Sequence, residues 1–156
     1  MLKFSIIICV LIILLLANLF PAEAQTVKDS DLKGVFPEAT SFEPVKNNEE
    51  LIYYKAKDST GNILGAVFMA TGDGHSGNIV TLAGMLKDGT VTEIKVLFED
   101  ETPNLGSRIS ETEFTDQFKN KKDLSGVQAI TGATISSQAL IDSVKKKSEE
   151  IKGYIK

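Results

Sequence analysis

Residues 78–86 and 90–98 are two short runs rich in Val, Ile, Leu and Thr, joined by Lys87-Asp88-Gly89. Asp and Gly suit a tight turn, and Val91, Ile94, Val96 and Phe98 give the second run its apolar side chains. The pattern predicts a β-hairpin and so commits this part of the chain to antiparallel pairing. A second hairpin is expected upstream. Residues 51–56, rich in Ile and Tyr, turn through Asp58-Ser59-Thr60-Gly61-Asn62 into a strand over 63–70.

The surrounding segments predict helices and loops. Asp29-Ser30-Asp31 reads as a helix start leading to Leu32, Val35 and Phe36, with Pro37 as the stop. Residues 71–77 hold three glycines and read as a loop, as do residues 99–107 with Pro103 and Gly106. A short helix is expected over 109–119, with Ile109, Phe114 and Phe118 on its apolar side, then a short strand over 127–130. From Ile135 a helix is expected to run to the end of the chain. Its buried stripe is Leu140, Ile141, Val144, Ile151 and Ile155, with Lys145, Lys146 and Lys147 toward solvent. Hairpins followed by helices predict an α+β domain with a mainly antiparallel sheet.

The N-terminal segment is of another kind. Phe4 to Phe20 is a run of 17 residues without a charge. As a helix it would span roughly 26 Å, close to the hydrocarbon thickness of a bilayer. Lys3 precedes it, which places the N-terminus in the cytoplasm and residues 25–156 outside. Ala22-Glu23-Ala24 has the small-x-small form of a signal-peptidase site, so cleavage before Gln25 competes with an uncleaved anchor. Residues 1–24 are therefore set apart as anchor or signal, and 25–156 as one domain. Net charge −4, with no basic, aromatic-laced patch, argues against nucleic acid. The single cysteine, Cys9, excludes a disulfide within the chain and a Cys-based metal site. The single histidine, His75, excludes a multi-His cluster.

Three segments could carry chemistry. Thr131-Gly132-Ala133-Thr134 lies between the short strand and the long helix. A helix start exposes unpaired N–H groups and favours a phosphate, and Thr134 would present a hydroxyl there. On spacing alone, an N-cap by Thr131 or Thr134 is the more economical explanation. Glu101-Thr102-Pro103-Asn104-Leu105-Gly106 is an acidic turn or a Pro-fixed loop that presents polar groups to a ligand. Gly72-Asp73-Gly74-His75-Ser76-Gly77 lacks the ending of a P-loop, and a solvated His75 is its simplest reading, ahead of a proton donor.

Taken together, these segments resemble the FMN-binding domain of the Rnf-type G subunits of electron-transport complexes. They are also similar to the NqrC-type subunits of Na⁺-translocating NADH:quinone reductase. The family has a Ser/Thr-Gly-Ala-Thr motif, matched by Thr131 to Thr134, and a Glu-Thr-Pro-Gly-Leu-Gly loop, matched by Glu101 to Gly106. Gly74-His75-Ser76-Gly77-Asn78-Ile79 and Val35-Phe36-Pro37-Glu38-Ala39 also look like family segments. The resemblance covers nearly all of residues 25–156, with its motif-bearing part at about 72–156. Two positions depart from the pattern. Asn104 replaces a Gly, and Asn is the next most tolerant residue of a left-handed conformation. Gln128 stands where an acidic residue is frequent.

The resemblance implies an electron carrier with FMN esterified through its phosphate to Thr134. A separate Mg²⁺-dependent flavin transferase would supply the FMN from FAD outside the cytoplasm. It implies that Thr131, Gly132 and Ala133 shape the phosphate end, while Glu101, Thr102, Leu105 and Gly106 border the ring or ribityl chain. It implies a single-pass anchor in the cell membrane, with the domain on the extracytoplasmic side. The implied partners are the membrane subunits of an ion-translocating ferredoxin:NAD⁺ oxidoreductase. A standalone exported FMN protein and a non-redox exported binding module of the same fold are the alternatives.

Overall fold

A computed structural model of the chain describes residues 27–155. The apolar run, Cys9 and the choice between anchor and signal lie outside the described residues, and no helix among those described is long and apolar enough to cross a membrane.

The described chain forms an antiparallel meander. Helix α1 (Asp29–Val35) leads into strands β1 (Ser41–Asn47), β2 (Glu50–Lys57), β3 (Ile63–Asp73), β4 (Asn78–Leu86) and β5 (Val91–Phe98). The strands lie side by side in sequence order. Next come two short 3₁₀ turns (Gly106–Ser110 and Asp116–Phe118) flanking α2 (Thr112–Thr115), a third 3₁₀ turn (Leu124–Gly126), and the long helix α3 (Thr134–Lys152). The α+β class and both expected hairpins are present. At the β4–β5 turn, Gly89 takes φ +92°. Asp88 accepts hydrogen bonds from the Thr90 amide at 2.9 Å and its hydroxyl at 3.0 Å.

Side-chain alternation along β3 separates two apolar layers. Ala66, Phe68 and Ala70 face α3, where they pack with Leu140, Val144 and Ile151 and with Ile109, Phe114 and Phe118. Val67 and Met69 face α1, beside Leu32, Val35 and Phe36. Full burial of side chains of this size stabilises by about 1.5–3 kcal/mol each, so the two layers dominate the fold's stability. The carbonyl of Val35 closes the α1 layer, accepting from the Thr92 hydroxyl at 2.5 Å.

Four features depart from the sequence-based reading, and the end of α3 is a fifth. First, β1 is a strand that sequence patterning does not announce. Only Phe42 and Val45 in it are even half-buried, so it lacks a readable alternation, and Pro44 fits because the strand is an edge. Second, β3 runs three residues into the expected loop, pairing Thr71, Gly72 and Asp73 with Val80, Ile79 and Asn78. Gly72 is needed there because a Cβ would collide with the carbonyl oxygen of Ala139 on α3. Third, residues 127–130 join no sheet. The Gln117 carboxamide pairs with the Gln128 peptide as a strand would, accepting from its N–H at 2.8 Å and donating to its carbonyl at 3.3 Å. Fourth, the single helix expected over 109–119 is broken into a 3₁₀ turn, α2 and a second 3₁₀ turn, although Ile109, Phe114 and Phe118 are all buried. Helix α3 stops at Lys152, and buried Ile155 lies beyond it, next to Tyr154 stacked on Tyr53 at 6.1 Å between ring centres.

Candidate functional site

The strand register brings the three motif segments to one end of the sheet. Asp73 pairs with Asn78, so residues 74–77 turn there, and Phe98 pairs with Val80, so the segment after β5 leaves at the same end. The backbone of α3 at Ala139 lies against Gly72, which brings the first turn of α3 alongside. Between them is a cleft of about 350 Å³ lined by Glu101, Thr102, Leu105, Gly106, Gly132, Ala133 and Thr134, with His75, Ile135 and Ser136.

Seven of the eight expected site residues thus share one cleft. Thr131 does not: it lines a neighbouring polar groove with Arg108, Gln117 and Gln128. His75, Ile135 and Ser136 join the cleft although no motif reading placed them there. The available signal was their position, since His75 lies within the glycine-rich segment and the other two directly follow Thr134.

Glu101 ties the segments together. It is 7% exposed. Its Oε1 accepts from the amides of Ser76 (3.1 Å) and Gly77 (3.4 Å), and its Oε2 accepts from the Ser136 hydroxyl at 2.5 Å. Burial pushes the carboxyl up, but the hydrogen bonds from Ser136, Ser76 and Gly77, together with the field of His75, outweigh it and hold the group below the usual glutamate value. Both oxygens are engaged within the protein, so Glu101 acts as a clamp under the cleft. Gly106 lets this happen, since a Cβ there would lie 2.7 Å from Oε2 of Glu101 and 2.9 Å from Oγ of Ser136. In the same loop, Asn104 takes φ +59°, the left-handed conformation expected where a glycine is replaced.

The start of α3 is open. Its N-cap is Ala133, with no side-chain cap, so neither Thr131 nor Thr134 is used as one. Buried Ser137 does the local work, accepting from the Ile130 amide at 3.0 Å and donating to the Ala133 carbonyl at 2.8 Å. The first backbone bond of the helix runs from the Ser137 amide to the Ala133 carbonyl, which leaves the amides of Thr134, Ile135 and Ser136 without intrahelical partners. Gly132, at φ +84°, turns the chain into the helix and passes beneath Leu105. Thr134 is exposed, and its hydroxyl makes no hydrogen bond among the described residues. Leu105 (44% exposed) and Ile135 (58% exposed) leave apolar surface on the cleft walls. The donor set suits a phosphate, and the apolar walls suit a flat aromatic ring.

The FMN-binding domain family matches residues 74–149, which takes in the segments at 101–106 and 131–134 and the glycine-rich segment from Gly74 onward. The chain is 38% identical over 144 residues to the G subunit of the ion-translocating oxidoreductase complex of Methanosarcina acetivorans, covering 82% of this chain and 76% of the relative. It is 29% identical over 145 residues to the G subunit of the proton-translocating ferredoxin:NAD(+) oxidoreductase complex of Clostridium ljungdahlii, covering 84% and 77%. Its fold is similar to that of the C subunit of Na(+)-translocating NADH-quinone reductase from Parabacteroides distasonis, with TM-score 0.56 and 20% identity over 81% of this chain and 83% of that one. It is also similar to NqrC of Shewanella oneidensis, with TM-score 0.54 and 16% identity over 85% and 78%. On the strength of its likeness to these relatives, the chain belongs to the FMN-binding domain family, alongside the G subunits of ion-translocating oxidoreductase complexes.

Proposed function

We propose that this chain is a membrane-tethered electron carrier that holds FMN through a phosphoester to the Thr134 hydroxyl. It works as the G-type subunit of an ion-translocating ferredoxin:NAD⁺ oxidoreductase complex. The observation that carries the reading is the state of Thr134: an exposed hydroxyl with no hydrogen bond among the described residues, at a helix start whose first amides lack intrahelical partners, in the cleft where three separate motifs meet. Bound FMN would supply the electron-transfer chemistry.

The chain's own residues would bind and orient. The amides of Thr134 and Ile135 and the dipole of α3 favour the phosphate. Leu105 and Ile135 offer apolar surface to the ring, and Glu101 ties the loop that carries Leu105 to the turn at Ser76 and Gly77 and to the first turn of α3, which carries Ile135. A covalent link suits a carrier outside the cytoplasm, where a lost cofactor is not readily replaced. A flavin transferase acting on FAD would make the ester.

The test is the intact mass of full-length protein from membranes of cells that co-express a flavin transferase. The wild type should gain roughly 440 Da, one FMN less water, the organic chemistry being the cofactor's own. Thr134→Ala should lose that adduct while keeping its fold. An adduct that persists in Thr134→Ala sinks the attachment. The same spectrum tests the anchor, because retained residues 1–24 add their own mass.

A further inference from the structure

The chain has one histidine, and it forms part of the Thr134 cleft with Glu101, Leu105 and Ile135. Its backbone position is set on both sides. The Gly74 amide donates to the Gly77 carbonyl at 2.8 Å, and the Ser76 and Gly77 amides both rest on Glu101. Its Nδ1 lies 3.4 Å from Oγ of Ser76. The exposed imidazole stands in the cleft on a braced turn.

The charged groups of the surrounding segments are acidic. Asp73 ends β3 on the histidine's own hairpin, and Glu99, Asp100 and Glu101 follow β5. The first turn of α3, Thr134 to Ser137, carries no charge. Residues 102–106 carry none either, and Arg108 lines the neighbouring groove. His75 and Glu101 are the two titratable side chains that line the cleft. Imidazole is the side chain whose ordinary charge change falls between pH 5 and 8.

We infer that His75 is the proton-coupled partner of the flavin, taking up a proton when the cofactor is reduced and releasing it on reoxidation. This rests on the FMN reading above. Two electrons, passed through the complex from its ferredoxin-class donor, and one proton from the surrounding water convert the neutral oxidised ring to its reduced anion. One further proton from water converts the imidazole to imidazolium. Two electrons and two protons enter together, and the same number leave on reoxidation. The new negative charge in the cleft meets a new positive one on its wall. By linkage, any factor by which reduction tightens proton binding at His75 is the factor by which protonation favours reduction.

The single histidine makes the test direct. The full chain, flavinylated and solubilised in detergent, is followed by the NMR signals of its one imidazole, oxidised and then reduced anaerobically with dithionite. The titration midpoint should rise by about one pH unit on reduction, a tenfold gain in proton affinity. Unflavinylated Thr134→Ala treated with dithionite should show no such rise. In parallel, the midpoint potential is measured against pH for wild type and His75→Gln. As pH falls through the two histidine midpoints, the wild-type potential should rise by about 30 mV more in total than that of His75→Gln, the two-electron equivalent of a tenfold gain in proton affinity. An imidazole midpoint that is the same in both redox states, or superimposable potential profiles, overturns the inference. Intact mass is read first. FMN present on Thr134 with an indifferent His75 defeats this inference alone, whereas no FMN defeats the parent reading and this one with it.

Discussion

The hydroxyl of Ser136 donates a 2.5 Å hydrogen bond to Oε2 of Glu101, joining the first turn of α3 to a loop 35 positions earlier. The other oxygen of the same carboxylate holds the amides of Ser76 and Gly77. Removing the acceptor would strand three donors at once. Glu101→Ala should therefore destabilise the domain more than Ser136→Ala, which removes only one of them. Losses of this type run to about 1–3 kcal/mol per buried group left unpaired. In urea unfolding, the double variant should fall short of the sum of the singles, because the pair shares one bond. Strict additivity would mean that the two side chains do not interact in solution.

Acid should loosen the same clamp. The carboxyl of Glu101 sits below the ordinary glutamate value because three hydrogen bonds favour its charged form. A folded-state value lower than the unfolded one contributes stability that is complete above the unfolded value, 4.5. That contribution is lost as pH falls through the folded value. The stability gap between wild type and Glu101→Gln should thus be constant near neutrality and shrink below about pH 4.5. Thermal unfolding at a series of pH values reads it. A gap that widens on acidification would show that the shift has the opposite sign.

Asn104 holds a left-handed conformation, φ +59°, with its amide donating to the Ser107 hydroxyl at 3.0 Å. A residue with a Cβ and no compensating polar side chain is strained there by roughly 1–2 kcal/mol. Asn104→Ala should cost about that much, while Asn104→Gly should be neutral or mildly stabilising. The glycine variant should also flavinylate at least as fully as wild type by intact mass, since it restores the residue usual at this turn. An Asn104→Ala protein as stable as wild type would remove the strain argument.

These positions also mark how far the chain can be read without coordinates. Gly89, the two hairpins and the apolar stripe of α3 were legible, because turn chemistry and side-chain period are local. The three motif segments were legible as segments, but their meeting depends on β4–β5 register and on Gly72 admitting α3, which no local pattern encodes. Edge strand β1 was hidden because Pro44 and its mostly exposed side chains leave no alternation. The stretch over 127–130 misled for a related reason. It is extended, yet its pairing partner is the side chain of Gln117. His75 looked like an ordinary loop residue because the bracing of its turn comes from Glu101, 26 positions away (101 − 75).

Thr81 offers a test of the core independent of the cleft. It is fully buried on β4, between Ala70 of β3 and Val96 of β5, and its hydroxyl has no hydrogen-bond partner among the described residues. A buried hydroxyl without a partner costs free energy, and an apolar group of the same shape removes that cost. Thr81→Val should raise stability by about 1 kcal/mol in urea unfolding, with an unchanged slope and unchanged flavin loading. A loss of stability would point instead to an internal water held by that hydroxyl, because such waters are costly to displace. High-resolution diffraction of the variant and the wild type would then show the water in one and not in the other.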